Sequence, residues 1–246
     1  MGRRMKIAVV TPYYKEDAAI LRRCIGSVAA QTVRADHFMV ADGHASDEIA
    51  ANDSVRHVVL PAPHGDSGNV ARGIGSVLAA AEGYDAIAWL DADNWFKPRH
   101  VEGLLQVNET TGAPLCYAWR TLHRPDGSRL PIDAVEEVAG HHVDTSCWLV
   151  FRPAFGLLRV WFMPKQLGPV CDRVFFQAAK RSGLKITGFR RKSVCFTTTY
   201  RRHYERAGEK PPPGAKTGIM PAARAWLRKP ANRKATIAAL GFCPEI

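Results

Sequence analysis

The sequence predicts an α/β domain in which one mostly parallel sheet is flanked by helices, with a basic helical extension at the C-terminal end. Three observations carry this. Short, apolar, β-branched runs recur through the first ninety residues, and each stops abruptly at polar or acidic residues. Segments with helical spacing alternate with these runs, the pattern that puts parallel strands in one sheet under helices. The chain has 246 residues, 46% of them hydrophobic, which is enough for one sizeable core without a split.

The elements follow in order. Lys6-Ile7-Ala8-Val9-Val10 reads as a central strand that feeds a loop at Thr11-Pro12-Tyr13-Tyr14. Residues Ala18 to Gln31 form an amphipathic helix, His37 to Val40 a second strand, and Ala41 to Asp47 its polar exit. A third short strand covers His57 to Pro61, and Ser67 to Glu82 has helical spacing with small residues on one face. Ala86-Ile87-Ala88-Trp89-Leu90 is the next strand, followed at once by Asp91-Ala92-Asp93. Further on, Leu149-Val150-Phe151 is strand-like, and Asp172 opens a helix that stops at Gly183 before another strand. Lys210-Pro211-Pro212-Pro213-Gly214 is a stiff breaker, after which Ala222 to Lys229 and the residues beyond Pro230 read as two helical pieces.

The pair Asp91 and Asp93 is the most informative feature of the chain. Acids directly after a buried strand lie at the carboxyl edge of the sheet, where open α/β folds bind ligands. Carboxylates are hard ligands, and a Mg2+ or Mn2+ ion held by one or two of them keeps its other positions for water and substrate phosphate. An acid at such a place also serves as a helix N-cap or a plain loop residue.

Four motifs in order give the chain a family likeness: Thr11-Pro12-Tyr13-Tyr14, Val40-Ala41-Asp42-Gly43-His44-Ala45-Ser46-Asp47, Gly68-Asn69-Val70-Ala71-Arg72-Gly73 and Trp89-Leu90-Asp91-Ala92-Asp93-Asn94. Together they resemble the family 2 glycosyltransferases of the GT-A fold, whose single Rossmann-like sheet binds a nucleotide sugar. The resemblance covers residues 6 to about 110 well and continues more faintly to about residue 205. It implies a transferase domain over 1–205, with a nucleotide-binding half to about residue 110, an acceptor half over 111–205, and a Pro-containing basic extension over 206–246.

The resemblance also implies roles. Thr11, Pro12 and Tyr13 would receive the nucleotide base, with Tyr13 stacking on a pyrimidine such as uracil. Asp42 would contact base or ribose, Arg72 would lie near base and phosphates, and Asp91 would lie near sugar and ribose. Asp93, with Asp91, would hold the Mn2+ or Mg2+ ion, completed by His203 in Tyr200-Arg201-Arg202-His203-Tyr204; His141 and His142 compete for that place. Asp172 matches the family's general base, which takes the proton of the acceptor hydroxyl during inverting transfer. The bland reading of Asp172 is a helix N-cap. Asp144 and Trp148 fall where the family lines its acceptor pocket, and Trp148 equally suits the core. Gly73 stands where the family has Asn, and Cys171 where it has Glu.

The formal net charge of +11 is concentrated at one end, since residues 180–246 carry 16 Lys and Arg against 3 Asp and Glu. Basic side chains beside Trp226 and Leu227 suit an anionic membrane surface, an acidic acceptor, or simply a solvated helix packed on the domain. No apolar run reaches the roughly 18 residues of a membrane-spanning helix. The six cysteines are scattered, without metal-binding spacing. The expectation is a cytoplasmic chain, with peripheral contact at the inner membrane face open to its basic part, a nucleotide-sugar donor, and a hydroxyl acceptor on a polysaccharide or lipid-linked glycan. Two rivals are weaker. A sugar nucleotidyltransferase would need a Gly-rich, Arg-containing loop after the first strand, where this chain has Thr11-Pro12-Tyr13-Tyr14-Lys15-Glu16. A degenerate, non-catalytic domain holding nucleic acid or membrane by its tail would have no need of both Asp91 and Asp93.

Overall fold

A computed structural model describes residues 5–134 and 142–246; His141 lies outside the described residues. Strands β1 (Ile7–Tyr13), β2 (Asp36–Ala41), β3 (Val55–Val59) and β4 (Ala86–Trp89) form the parallel half of one sheet in the order β3-β2-β1-β4. Helix α1 (Ala18–Ala29) joins β1 to β2, the short α2 (Asp47–Ala50) precedes β3, and α3 (Asn69–Ala81) returns the chain to β4. β1 and β4 are therefore neighbours reached from opposite directions, which opens a crevice beyond their carboxyl ends.

Beyond β4 the sheet continues through β8 (Trp148–Phe151), β6 (Leu115–His123), β9 (Ile186–Thr197) and β5 (Trp95–Phe96), with β7 (Arg129–Asp133) beside β6. Here only β6 and β9 pair in parallel, so the sheet is parallel in its first half and mixed in its second. Helix α4 (His100–Thr111) precedes β6, and two 3-10 stretches, Arg152–Phe162 and Lys165–Val170, lead into α5 (Cys171–Arg181). The short α6 (Arg201–Arg206), then α7 (Met220–Leu227) and α8 (Pro230–Leu240), complete the described chain.

Small residues let α3 sit close to the sheet. A Cβ on Gly75 would come within 2.6 Å of Val10 Cγ1 and 2.8 Å of Val40 Cγ2. Gly73 faces the other way, where a Cβ would lie 2.9 Å from the Phe162 ring and 3.1 Å from Trp161 Cβ. The Arg152–Phe162 stretch leaves no room for Asn at that place. On the same side, Phe175 of α5 stacks on Trp161 at 5.0 Å and meets Trp89 and Trp148 edge-on, which fixes α5 against the sheet.

Residues 206–246, set apart by the sequence pattern, fold back onto the domain. Ala223 and Leu240 join the main core, and Glu245 N–H donates to Gln177 Oε1 of α5. No helix among the described residues is long and apolar enough to cross a membrane.

Candidate active site

The crevice beyond β1 and β4 widens into a cavity of about 870 Å3 that reaches from Pro12 and Asp42 on one side to Asp172 and His203 on the other. Asp91 and Asp93 both line it. The turn that presents them is held from within by Asn94, fully buried, whose amide donates to Ser146 Oγ at 3.0 Å and accepts the Thr197 N–H at 2.8 Å. The Asp91 N–H donates to the same Ser146 hydroxyl, and Arg23 and Thr197 both donate to the Asp93 carbonyl. Three distant segments thus converge to aim two carboxylates.

The two acids are held differently. Asp91 Oδ1 accepts from Arg72 Nη2 at 2.7 Å, and Arg72 Nη1 donates to Asn69 Oδ1 at 2.7 Å. The guanidinium is 2% exposed and lies 4.8 Å over the Trp161 ring. Burial works against its charge, but Asp91, together with Cys171 and Asp66 nearby, offsets this and raises its pKa. One donor braces Asp91 and one is held by Asn69, while Nε has no hydrogen-bond partner among the described residues and the side chain lines the cavity. Arg72 therefore lies in the wall beside the acid pair, where the sequence expected it to lie near base and phosphates, and it braces Asp91 there. The Asp93 carboxyl has no hydrogen-bond partner among the described residues, and burial, with Asp91 close by, pushes its pKa up to about 7.

An under-neutralised carboxylate beside a second one fits a hard divalent cation of the Mg2+ or Mn2+ kind, with the open positions left to water and phosphate. His203 does not join them. It lies 1% exposed with Nδ1 2.7 Å from Thr198 Oγ1, and no group of three His, Cys, Asp or Glu among the described residues is arranged around a metal position. His142, the rival, faces Asp172 instead.

On the nucleotide side, β1 runs three residues further than expected, so Thr11 and Pro12 belong to the strand. Thr11 is fully buried, with its hydroxyl 2.8 Å from His37 Nε2, and does not line the cavity. Tyr13 lines it but is only 2% exposed, with its hydroxyl held by His57 Nε2 at 2.7 Å and by the Ser46 N–H at 3.0 Å. It offers no free face for stacking; the neighbouring Tyr14, 42% exposed, does. Asp42 lines the wall, and its carboxylate holds the main-chain N–H and Nδ1 of His64, the latter at 2.6 Å. Asp66, which sequence reading passed over, accepts the N–H groups of Asn69 and Val70 and so caps α3 beside the cavity.

At the far side, Asp172 sits in the first turn of α5, but the N-cap position belongs to Val170. Its Oδ2 lies 3.1 Å from His142 Nε2 and its Oδ1 accepts the Arg173 N–H at 2.7 Å. Burial pushes its pKa up, yet His142 and the Arg173 N–H outweigh burial and hold it below the usual carboxylate range. Asp144 lines the cavity with its carboxylate committed to Arg120 and to the Ser146 N–H. Trp148 is not in the wall. It is fully buried among Tyr117, Phe175 and Phe176, the core alternative that its apolar surroundings favour.

The cavity takes its remaining wall from residues the sequence did not single out. Lys216 is carried in by pairing with Thr199 and Tyr200, and its charge acts on Asp93. Arg173, Arg201 and Arg202 line the same side. Only an unspecific signal, the run of basic residues after Lys180, pointed to Lys216, Arg201 and Arg202, and none pointed to Arg173.

Comparison with known proteins places this geometry. The model of the family named Glycosyl transferase family 2 matches residues 8–155. The chain belongs to glycosyltransferase family 2. Succinoglycan biosynthesis protein ExoW of Rhizobium meliloti (strain 1021) is 36% identical to this family 2 chain over 103 residues, which are 39% of the chain and 32% of that relative. The chain thus spans about a third of the curated relative it matches. In fold, the family 2 chain is similar to S. aureus TarS 1-349 in complex with UDP, with a TM-score of 0.61 at 12% identity over 96% of this chain and 70% of that one. TarS 1-349 in complex with UDP-GlcNAc gives 0.57 at 12% identity, over 79% and 59%. These likenesses establish the GT-A fold.

Proposed function

We propose that the chain transfers a glycosyl group from a nucleoside diphosphate sugar, UDP-linked, to an acceptor hydroxyl with inversion at the anomeric carbon. The observation that carries this is the placement of two kinds of carboxylate in one cavity. Asp91 and Asp93 stand at the sheet edge, and Asp172 is held ionised across from them. UDP as the nucleotide is supported by the fold shared with TarS, whose structures hold UDP and UDP-GlcNAc.

In this mechanism Asp172 accepts the acceptor hydroxyl proton as that oxygen bonds to the anomeric carbon, while the bond from that carbon to the diphosphate breaks and the nucleoside diphosphate leaves. Arg72 holds Asp91 through its Oδ1 and so fixes the direction of that carboxylate. A Mn2+ or Mg2+ ion held by Asp93 and Asp91 would neutralise charge on the departing diphosphate. Tyr14 supplies the accessible ring for the base, and Asp42 lies on the same wall. Arg173, Arg201 and Lys216 add basic side chains to the cavity lining, which suits an acceptor that carries negative charge, whether a polysaccharide or a lipid-linked glycan.

The test is thermal stabilisation by UDP, GDP, CDP and dTDP, each with and without Mn2+. At a hundredfold excess over Kd, bound UDP should add about 2.7 kcal/mol. The shift should depend on Mn2+ and disappear in Asp93→Ala. Asp172→Asn should keep the shift and lose transfer. No shift with any of the four nucleotides would overturn the donor assignment, and undiminished transfer by Asp172→Asn would overturn the base.

A further inference from the structure

His142 has no role in the scheme above, yet it makes the closest side-chain contact to Asp172. Its ring is 4% exposed and lines the cavity, and its Nε2 stands 3.1 Å from Asp172 Oδ2. Its Nδ1 is buried with no hydrogen-bond partner among the described residues. A bare Nε2 lone pair would repel the carboxylate, so Nε2 carries a proton and donates it to Oδ2. The Arg173 N–H holds Oδ1. Both oxygens are thereby tied, and the carboxyl plane is set by two donors, one of them fixed by α5 itself.

We infer that His142 is the positioning residue of Asp172: its Nε2–H holds the carboxylate in the rotamer that faces the acceptor and keeps it ionised inside a buried wall. The kinetic part rests on the reading of Asp172 as the base; the structural part does not. The other groups that face Asp172 leave this work to His142. Cys171 and Tyr200 are pushed up to about 12 by burial and stay neutral in the working range. Arg120 is permanently charged but pairs with Asp144, and the Arg173 main-chain donor does not titrate. With the imidazole gone, burial is the largest influence left on Asp172 and acts to raise its pKa.

The experiment pairs a direct titration with a rate profile. In the full chain, with Asp172 assigned by its loss in Asp172→Asn, carboxyl 13C NMR should show Asp172 titrating about one unit or more higher in His142→Phe than in wild type. His142→Gln, whose amide nitrogen reaches the Nε2 position, should restore the wild-type value, and His142→Asn, which does not reach it, should resemble His142→Phe. In transfer assays the acid limb should move up by the same amount, so that for a one-unit shift about tenfold of the rate is lost well below both limbs and almost none well above them. Stabilisation by UDP with Mn2+ should be unchanged. An Asp172 that titrates at one pH in wild type, His142→Phe and His142→Asn would overturn the inference, as would a rate loss equal at all pH values. If the titration moves as expected while the wild-type chain transfers from no donor, the pairing stands and the proposed function falls.

Discussion

Asp93 shows what a single residue reveals about the cavity. Its carboxyl is raised from 3.8 to about 7 in the folded, metal-free chain, with burial the first cause and Asp91 the second. A raised folded-state pKa in an acid means that ionisation opposes folding. The penalty is absent below the unfolded value near pH 4, grows as pH rises, and levels off above about pH 7. In EDTA, Asp93→Asn should therefore melt higher than wild type, by a margin that widens from pH 4 to pH 7 and then stays constant. Melting curves across that range check this; a constant margin would remove the buried acid from the account. Mn2+ should reverse the order above pH 7, since a cation needs the ionised carboxylate. Residue types and their order were enough to single out Asp91, Asp93 and Asp172. Sequence did not reveal that Arg72 braces Asp91, or that Thr11 turns inward to His37, because both depend on partners from other elements.

At the scale of elements, the parallel half was legible almost strand by strand, since β1, β2 and β4 are continuous apolar runs buried on both faces. The region between α4 and α5 was not. Its two 3-10 stretches lack a repeating 3.6 or 2 period, and β6 is stitched to β9 across more than sixty residues of sequence. Close packing of α3 on the sheet is the part of this architecture most open to test. Gly75→Val would place its first side-chain carbon 2.6 Å from Val10 Cγ1, so α3 must lift away, with Arg72 on it. The expected cost is about 1–3 kcal/mol, read from urea unfolding. Donor binding should weaken as well, because the Asp91 brace moves with the helix. Wild-type stability in Gly75→Val would show that α3 sits further from the sheet.

For the whole molecule, the uneven charge has two addresses. Lys216, Arg201 and Arg173 face the cavity, while Arg224, Arg228, Lys229, Arg233 and Lys234 are exposed on and between α7 and α8, with Ile237 exposed beside them. The second group suits an anionic surface, each basic residue contributing about 1 kcal/mol near it. The full chain should sediment with vesicles containing phosphatidylserine, and the binding should fall steeply with salt. Charge reversal of Arg228, Lys229, Arg233 and Lys234 to Glu should abolish it while leaving stabilisation by UDP and Mn2+ intact. Equal recovery with neutral vesicles, or no effect of the four reversals, would place the attraction elsewhere.

Sequence by itself determined the fold class, the strand ends that bear acids, and the position of Asp172 at the opening of a helix. These are local matters, settled by the period of apolar residues and by where each run breaks. Only the tertiary structure decided which side chains are free to meet a ligand. Tyr13 and Trp148 are taken up by neighbours, Arg72 braces Asp91 from within the cavity wall, Tyr14 is left accessible, His142 is turned toward Asp172, and the basic extension is folded back so that Lys216 enters the cavity. The reason is physical: a buried polar group must find its partner wherever the fold brings one, and most of these partners lie tens of residues away along the chain.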